Sequence, residues 1–198
     1  MSPSSACSWI ASLSGSRRSS ASPDCVATGD RTVAASSALR QARAVDTAPE
    51  VDLRPVDASS WRAVADVAPR PDQERWVTPV TRYLCLCLFE REWHPMAVRV
   101  GDEVVGFLMW GFDPDERSHC IGGVVIDAAH QGKGIGRGVI TSMLRMFEGL
   151  DGYREAALTI HPDNTVARRL YASLGFVETG EESEGELVAR RPRAPVTE

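Results

Sequence analysis

From Val51 onward the chain alternates between short apolar runs and segments whose apolar residues recur every three or four positions. "VDLRPV" (Val51 to Val56) alternates apolar and polar residues and predicts a first strand. Ser59 or Ser60 is placed to cap a short helix through "WRAVADV", which Pro69 and Pro71 interrupt. "QERWVTPVTRYLCLCLFERE" predicts a helix in its second half, starting near Pro79. "PMAVRVGDEVVGFLMWGF" predicts a hairpin around Gly101-Asp102, followed by the acidic loop "DPDERSH". A β-branched run over 120–127 predicts a buried strand. Ile135, Val139, Ile140, Met143, Leu144 and Phe147 then mark one face of a helix reaching about Leu150. "YREAALTIH" predicts a strand, and Asp163 and Asn164 open a helix with Val166, Leu170 and Leu174 on one face. "GFVETGEESEGELVARR" predicts two strands joined by an acidic turn. Strands, hairpins and helices so mixed predict an α/β (α+β) fold with a mixed sheet rather than an all-parallel one. The chain shows no internal repeat.

Residues 1–49 break this rhythm. They are rich in Ser, Ala and Arg, poor in large apolar residues and without periodicity. Such composition predicts a disordered N-terminal extension, a folded domain over 50–191 and a short tail over 192–198. "CSWIASLSGS" lacks the continuous apolar core of a secretory signal. The Ser and Arg content also suits an organelle transit peptide, against which Asp24, Asp30 and Asp46 count.

Composition narrows the function classes. Hydrophobic content of 43% and charged content of 25% suit a soluble globular domain. No eighteen-residue apolar run exists, so no membrane-spanning helix is expected. A net charge of −5 argues against nucleic acid as a partner. The five Arg against three Asp of residues 1–49 leave the remainder near −7, an acidic body that suits a cationic substrate. Of the five cysteines, Cys85 and Cys87 sit two apart on a predicted helix and point to different sides, a poor zinc pair. All five read as free thiols of a reducing, cytoplasmic protein, and no metal site is expected.

The chemistry concentrates in "DAAHQGKGIGRGVI" (Asp127 to Ile140), where glycines occupy every second position from Gly132 to Gly138 between the strand and the long helix. A helix N-terminus presents unsatisfied N–H groups and a partial positive charge, which suits phosphate. The Walker pattern fails because Lys133 is followed by Gly134, not Ser or Thr. The dinucleotide fingerprint fails because its third glycine would fall on Arg137 or Val139. What remains is Gln131-x-x-Gly134-x-Gly136.

That pattern resembles the pyrophosphate loop of the GNAT acyltransferases, Gln/Arg-x-x-Gly-x-Gly/Ala. A second segment, "HPDNTVARRLYASLGF" (His161 to Phe176), is similar to the same family's Asn-x2-Ala-x2-Leu-Tyr-x2-Leu-Gly-Phe, with Asn164, Ala167, Leu170, Tyr171, Leu174, Gly175 and Phe176 all matching. The resemblance covers roughly Val51 to Arg190. "VDLRPVDASSW", "QERWV", "VVGFLMW" and "TGEESEGELV" look most like the bacterial diamine, spermine and spermidine acetyltransferases.

The resemblance implies the GNAT acyltransferase fold, a mixed, mostly antiparallel central sheet flanked by helices. It implies acetyl-CoA as co-substrate, with acetyl transfer by direct attack onto a primary amine of a small cationic acceptor, a di- or polyamine. It allows a homodimer. The pyrophosphate would meet the backbone of Gln131, Gly132, Lys133, Gly134, Ile135, Gly136 and Arg137, with the side chains of Lys133, the chain's only lysine, and Arg137 near coenzyme phosphates. The pantetheine arm would pair with the strand backbone at Val124, Val125 and Ile126, and Asn164 belongs to the same coenzyme set. Tyr171 stands where the family places its general acid; a phenol near pKa 10 and a thiol near 8.5 are close enough for proton exchange. A strand glutamate that serves some relatives as base would fall on Gly122, so no base carries over; Asp127, His130, His161 or a water chain to Glu74 are the candidates. Glu74, Asp113, Asp115, Glu116, Glu181, Glu182, Glu184 and Glu186 are expected around the acceptor groove, and Glu74 and Glu186 match the polyamine-type segments best. A protein N-terminal or aminoglycoside acetyltransferase, or a noncatalytic acyl-CoA-binding module, are the alternatives.

Overall fold

The computed structural model describes residues 49–194. The expected disordered extension lies, apart from Pro49, outside the described residues, as do residues 195–198 of the tail. Seven strands form one sheet: β1 (Asp52–Pro55), β2 (His94–Val100), β3 (Glu103–Asp113), β4 (Ser118–Ile126), β5 (Glu155–Ile160), β6 (Val177–Ser183) and β7 (Glu186–Pro192). Among the described residues four α-helices accompany them: α1 (Trp61–Ala65), α2 (Val80–Glu90), α3 (Ile135–Glu148) and α4 (Thr165–Ser173). The strand order is β1-β2-β3-β4-β5-β7-β6, and only β4 and β5 run parallel. This is the mixed, mostly antiparallel sheet flanked by helices that the sequence predicts.

The central strands β3, β4 and β5 are buried on both faces, which is why they read as apolar runs rather than clean alternations. Met96 and Val98 of β2, Leu108 of β3 and Leu158 of β5 join the cluster under α3, while Ala97, Phe107, Met109 and Ala157 point to the opposite cluster under α1 and α2. α3 packs its predicted stripe fully: Ile135, Val139, Ile140, Met143, Leu144 and Phe147 are all buried. Each such side chain contributes about 1.5–3 kcal/mol relative to exposure. Pro49 and Val51 lie against α3 at Gly138, where a Cβ would come within 2.8 Å of the valine side chain.

Turns obey local chemistry. The β2–β3 hairpin closes through Gly101-Asp102 with Gly101 at φ +60°, and Glu184-Gly185 joins β6 to β7 with both residues at positive φ. The α1 cap differs from expectation. Ser60 occupies the N-cap without a capping bond, and Asp57 instead accepts from the backbone N–H and hydroxyl groups of both Ser59 and Ser60. Those bonds hold the Asp57 carboxyl down at about 2. A second correction concerns sulfur. Cys85 and Cys87 are free thiols, but Cys120 is disulfide-bonded, so the expectation of five free thiols fails there; Cys7 and Cys25 lie outside the described residues.

Two features of β4 prepare the site. Its parallel pairing with β5 consists of His119 with Ala156 and Cys120 with Ala157. Beyond that point the strands diverge, and Ile121–Ile126 keeps β3 on one side and loses β5 on the other. β4 also carries a bulge. Phe107 pairs with Val125 and Met109 with Gly122, so three steps on β4 oppose two on β3. Gly123 takes φ +58° there, and a Cβ on it would crowd Phe107 and Tyr83 at 3.3 Å. Both facts require glycine.

Candidate active site

The divergence of β4 from β5 opens a cleft that continues between the β4 edge, the glycine loop and α4. One part, about 230 Å³, is lined by Val124, Val125 and Ile126, by the loop from His130 to Gly136 except Lys133, and by Asn164, Leu170 and Tyr171. A smaller part, about 100 Å³, is lined by Gly122, Gly123, Tyr83, Thr159, His161 and Glu186. Trp76, Val77, Val124, Asn164, Ala167 and Tyr171 border both.

The loop is fastened at its start. The Gln131 amide donates to Ile126 O at 2.9 Å and to Gln73 Oε1 at 2.7 Å, tying it to the end of β4 and to the turn before α2. Gly132 and Gly134 both take φ +78°, and Gly134 is the N-cap of α3. A Cβ on Gly132 would meet nothing within 4 Å, so its approach is open. The N–H groups of the first turn of α3, Ile135 to Arg137, follow directly and have no acceptor within the helix. This geometry fits a coenzyme pyrophosphate. The open edge of β4 fits the peptide-like pantetheine arm.

Asn164 sits at the N-cap of α4 and accepts from Ala167 N at 3.1 Å, which orients the helix that carries Tyr171. Tyr171 is 9% exposed and packs edge-on against Phe176. Burial, and then the nearby Glu186 carboxylate, push its phenol up to about 12. The sequence-level expectation of a phenol near 10 therefore understates how firmly Tyr171 holds its proton. Glu186, the first residue of β7, is 6% exposed, and the Thr159 hydroxyl of β5 donates to it at 2.5 Å.

Of the residues expected at the site, the cleft brings together Val124, Val125, Ile126, Gln131, Gly132, Gly134, Ile135, Gly136, Asn164, Tyr171 and Glu186. Lys133 and Arg137 do not line it; Lys133 is exposed and Arg137 donates to Ser173 Oγ at 2.7 Å. Glu74 is exposed and lines neither part, and the neighbours that do are Gln73, Trp76 and Val77. The remaining acidic residues are spread over turns and edges. Asp113 accepts from the N–H groups of Asp115 and Glu116, Glu116 pairs with Arg190, and Glu181, Glu182 and Glu184 are exposed. Among the base candidates, Asp127 holds Ala129 N, His130 lies between Asp127 and Glu103 beside the loop, and His161 borders the acceptor end.

Sequence reasoning missed Gln73, Trp76, Tyr83 and Thr159. None carried a signal beyond its element, because each reaches the cleft by packing. The Gly122-Gly123 pair was a legible sign of a bulge inside a strand.

An open strand edge, a glycine loop at a helix N-terminus and a buried tyrosine line one cleft, an arrangement that suits an acyl-coenzyme-A-dependent acyltransferase. A model of the Acetyltransferase (GNAT) family matches residues 59–176, more than half of the chain, and the chain belongs to that family. It is thus an acetyltransferase whose acyl donor is acetyl-CoA. No curated protein matches it in sequence. Solved structures share its fold. A spermidine N-acetyltransferase from Vibrio cholerae in complex with CoA and spermine is 19% identical with TM-score 0.57, covering 71% of this chain and 93% of that one. The aminoglycoside acetyltransferase AAC(6')-Ib in complex with coenzyme A is 18% identical with TM-score 0.61, covering 72% and 95%. An acetyltransferase from Thermus thermophilus is 22% identical with TM-score 0.54, covering 74% and 99%.

Proposed function

We propose that the chain moves the acetyl group of acetyl-CoA by direct attack onto a primary amine of a small cationic acceptor, a di- or polyamine such as spermidine or spermine. The observation that carries this reading is one cleft with the β4 edge and glycine loop at one end and Tyr171 and Glu186 at the other. Acetyl-CoA supplies the acetyl group as an activated thioester. The α3 N-terminus offers donors to a pyrophosphate, and the β4 edge offers backbone groups to an amide-bearing arm. Tyr171 stays protonated throughout the neutral range and donates to the departing sulfur. Glu186 is the carboxylate that the reacting ammonium meets, in a pocket whose walls include Trp76, Tyr83, His161 and glycine backbone.

The acceptor end holds one carboxylate, so a second ammonium sits outside it, toward the exposed carboxylates of the surface. The polyamine-like segments of the sequence and the fold shared with the spermidine acetyltransferase support that acceptor class. A coenzyme A release assay over spermidine, spermine, a diamine, a monoamine, an aminoglycoside and a peptide tests it. Faster turnover on the di- and polyamines is expected. Preference for the aminoglycoside or peptide sinks the polyamine reading, and thiol release with no amine sinks the acetyltransferase mechanism.

A further inference from the structure

We infer that Glu186 is the general base that takes the proton from the acceptor ammonium, with Thr159 holding its carboxylate in place. This rests on the acetyltransferase reading above and adds the base that the glycine at position 122 leaves unsupplied.

The demand is set by the acceptor. An alkylammonium near pKa 10 leaves only about one molecule in a thousand as free amine at pH 7. The walls of the acceptor end bring four titratable groups to bear: Tyr83 from α2, His161 after β5, Tyr171 from α4 and Glu186 from β7. Tyr83 is buried, accepts from Thr78 N and is held protonated by its surroundings. Tyr171 is likewise held protonated. His161 accepts from Asp163 N with Nδ1 at 3.2 Å, so that lone pair is already engaged. Glu186 is the group whose chemistry suits acceptance. Thr159 fixes one of its oxygens, and that bond joins β5 to β7 directly under the cleft.

The arrangement also couples the two ends of the reaction. While Glu186 is charged it helps keep the Tyr171 proton in place. Once it takes a proton it becomes neutral, and that opposition to proton release from Tyr171 ends. In the full sequence one ammonium N–H bond breaks and its proton joins the Glu186 carboxylate, leaving a lone pair on nitrogen. A nitrogen–carbon bond forms as the carbon–sulfur bond breaks. Sulfur leaves with the bonding pair and receives the Tyr171 proton. The second proton lost by nitrogen restores Tyr171, and Glu186 returns its proton to solvent, so one proton is released per turnover.

The test compares E186Q, T159V and H161Q with the wild type. Turnover and acceptor KM are measured from pH 6 to 10, and coenzyme A affinity by calorimetry. Unchanged coenzyme A affinity establishes that each variant is folded at the donor end. E186Q should lose about 10²-fold in turnover at pH 7, and the deficit should shrink toward pH 10 as solution supplies free amine. T159V should show a smaller loss with the same pH trend, and H161Q should keep the shape of the wild-type pH profile. A raised acceptor KM with unchanged turnover in E186Q would leave Glu186 a binding group only and overturn the assignment. So would a loss independent of pH, or a lost acid limb in H161Q instead. A wild-type chain that acetylates no amine would overturn the acetyltransferase reading itself, which these outcomes do not.

Discussion

At Tyr171 one side chain packs in the core and borders the cleft. Its ring seals the cluster under α3, its phenol borders both parts of the cleft, and burial raises its pKa to about 12. Tyr171→Phe keeps the ring and removes the proton, so turnover should fall about 10²-fold with little change in acceptor KM. Unchanged turnover removes the phenol from the mechanism. Cys87, buried beneath α2, is also pushed up, from 9.0 to about 12. Both groups bind their protons more tightly in the folded chain than in the unfolded one. The stability linked to them is fully present below about pH 9 and is lost as pH rises through about 12. The melting temperature should therefore drop on that alkaline side, and Cys87→Ala should flatten the drop while lowering stability modestly at pH 7. An equally steep drop in the variant would show that Cys87 plays no part in it.

Helices and strands of this chain follow local rules closely, and the departures mark the site. The α3 stripe, the Pro79 entry to α2, the Gly101-Asp102 hairpin and the Asn164 cap are where the residue pattern puts them. Asn164→Ala should cost about 1 kcal/mol in a denaturant melt, the usual value of such a cap, and should loosen the helix bearing Tyr171. Gly134→Val forces a β-branched residue to φ +78° at the mouth of α3. Calorimetry on the folded variant should detect no coenzyme A binding; retained affinity would reduce the loop to a structural turn. The bonding of Asp57 at the start of α1 was less legible, because it depends on competition among adjacent polar groups.

The molecule as a whole makes its site by failing to finish a sheet. β4 and β5 start as a parallel pair and separate beyond Cys120 and Ala157, and α4 and the loop before α3 line the gap that opens there. Charge then acts at longer range. The chain carries −5, and its exposed carboxylates lie outside the acceptor end. Raising salt to several times the level where screening reaches about 10 Å should weaken a diamine or polyamine more than a monoamine, read as a larger rise in KM. Equal rises would remove the remote-ammonium argument. Periodicity, caps and the two glycine- and tyrosine-bearing motifs are local, since a residue's spacing along one element decides them, and so the sequence alone determined the fold class and the placing of the glycine loop at the start of α3. The acceptor end joins residues from α2, β4, β5, α4 and β7. The sequence resemblance narrowed the eight acidic side chains to Glu74 and Glu186, but which of the two faces the cleft depended on strand divergence and register, so only the tertiary structure could keep Glu186 and turn Glu74 toward solvent.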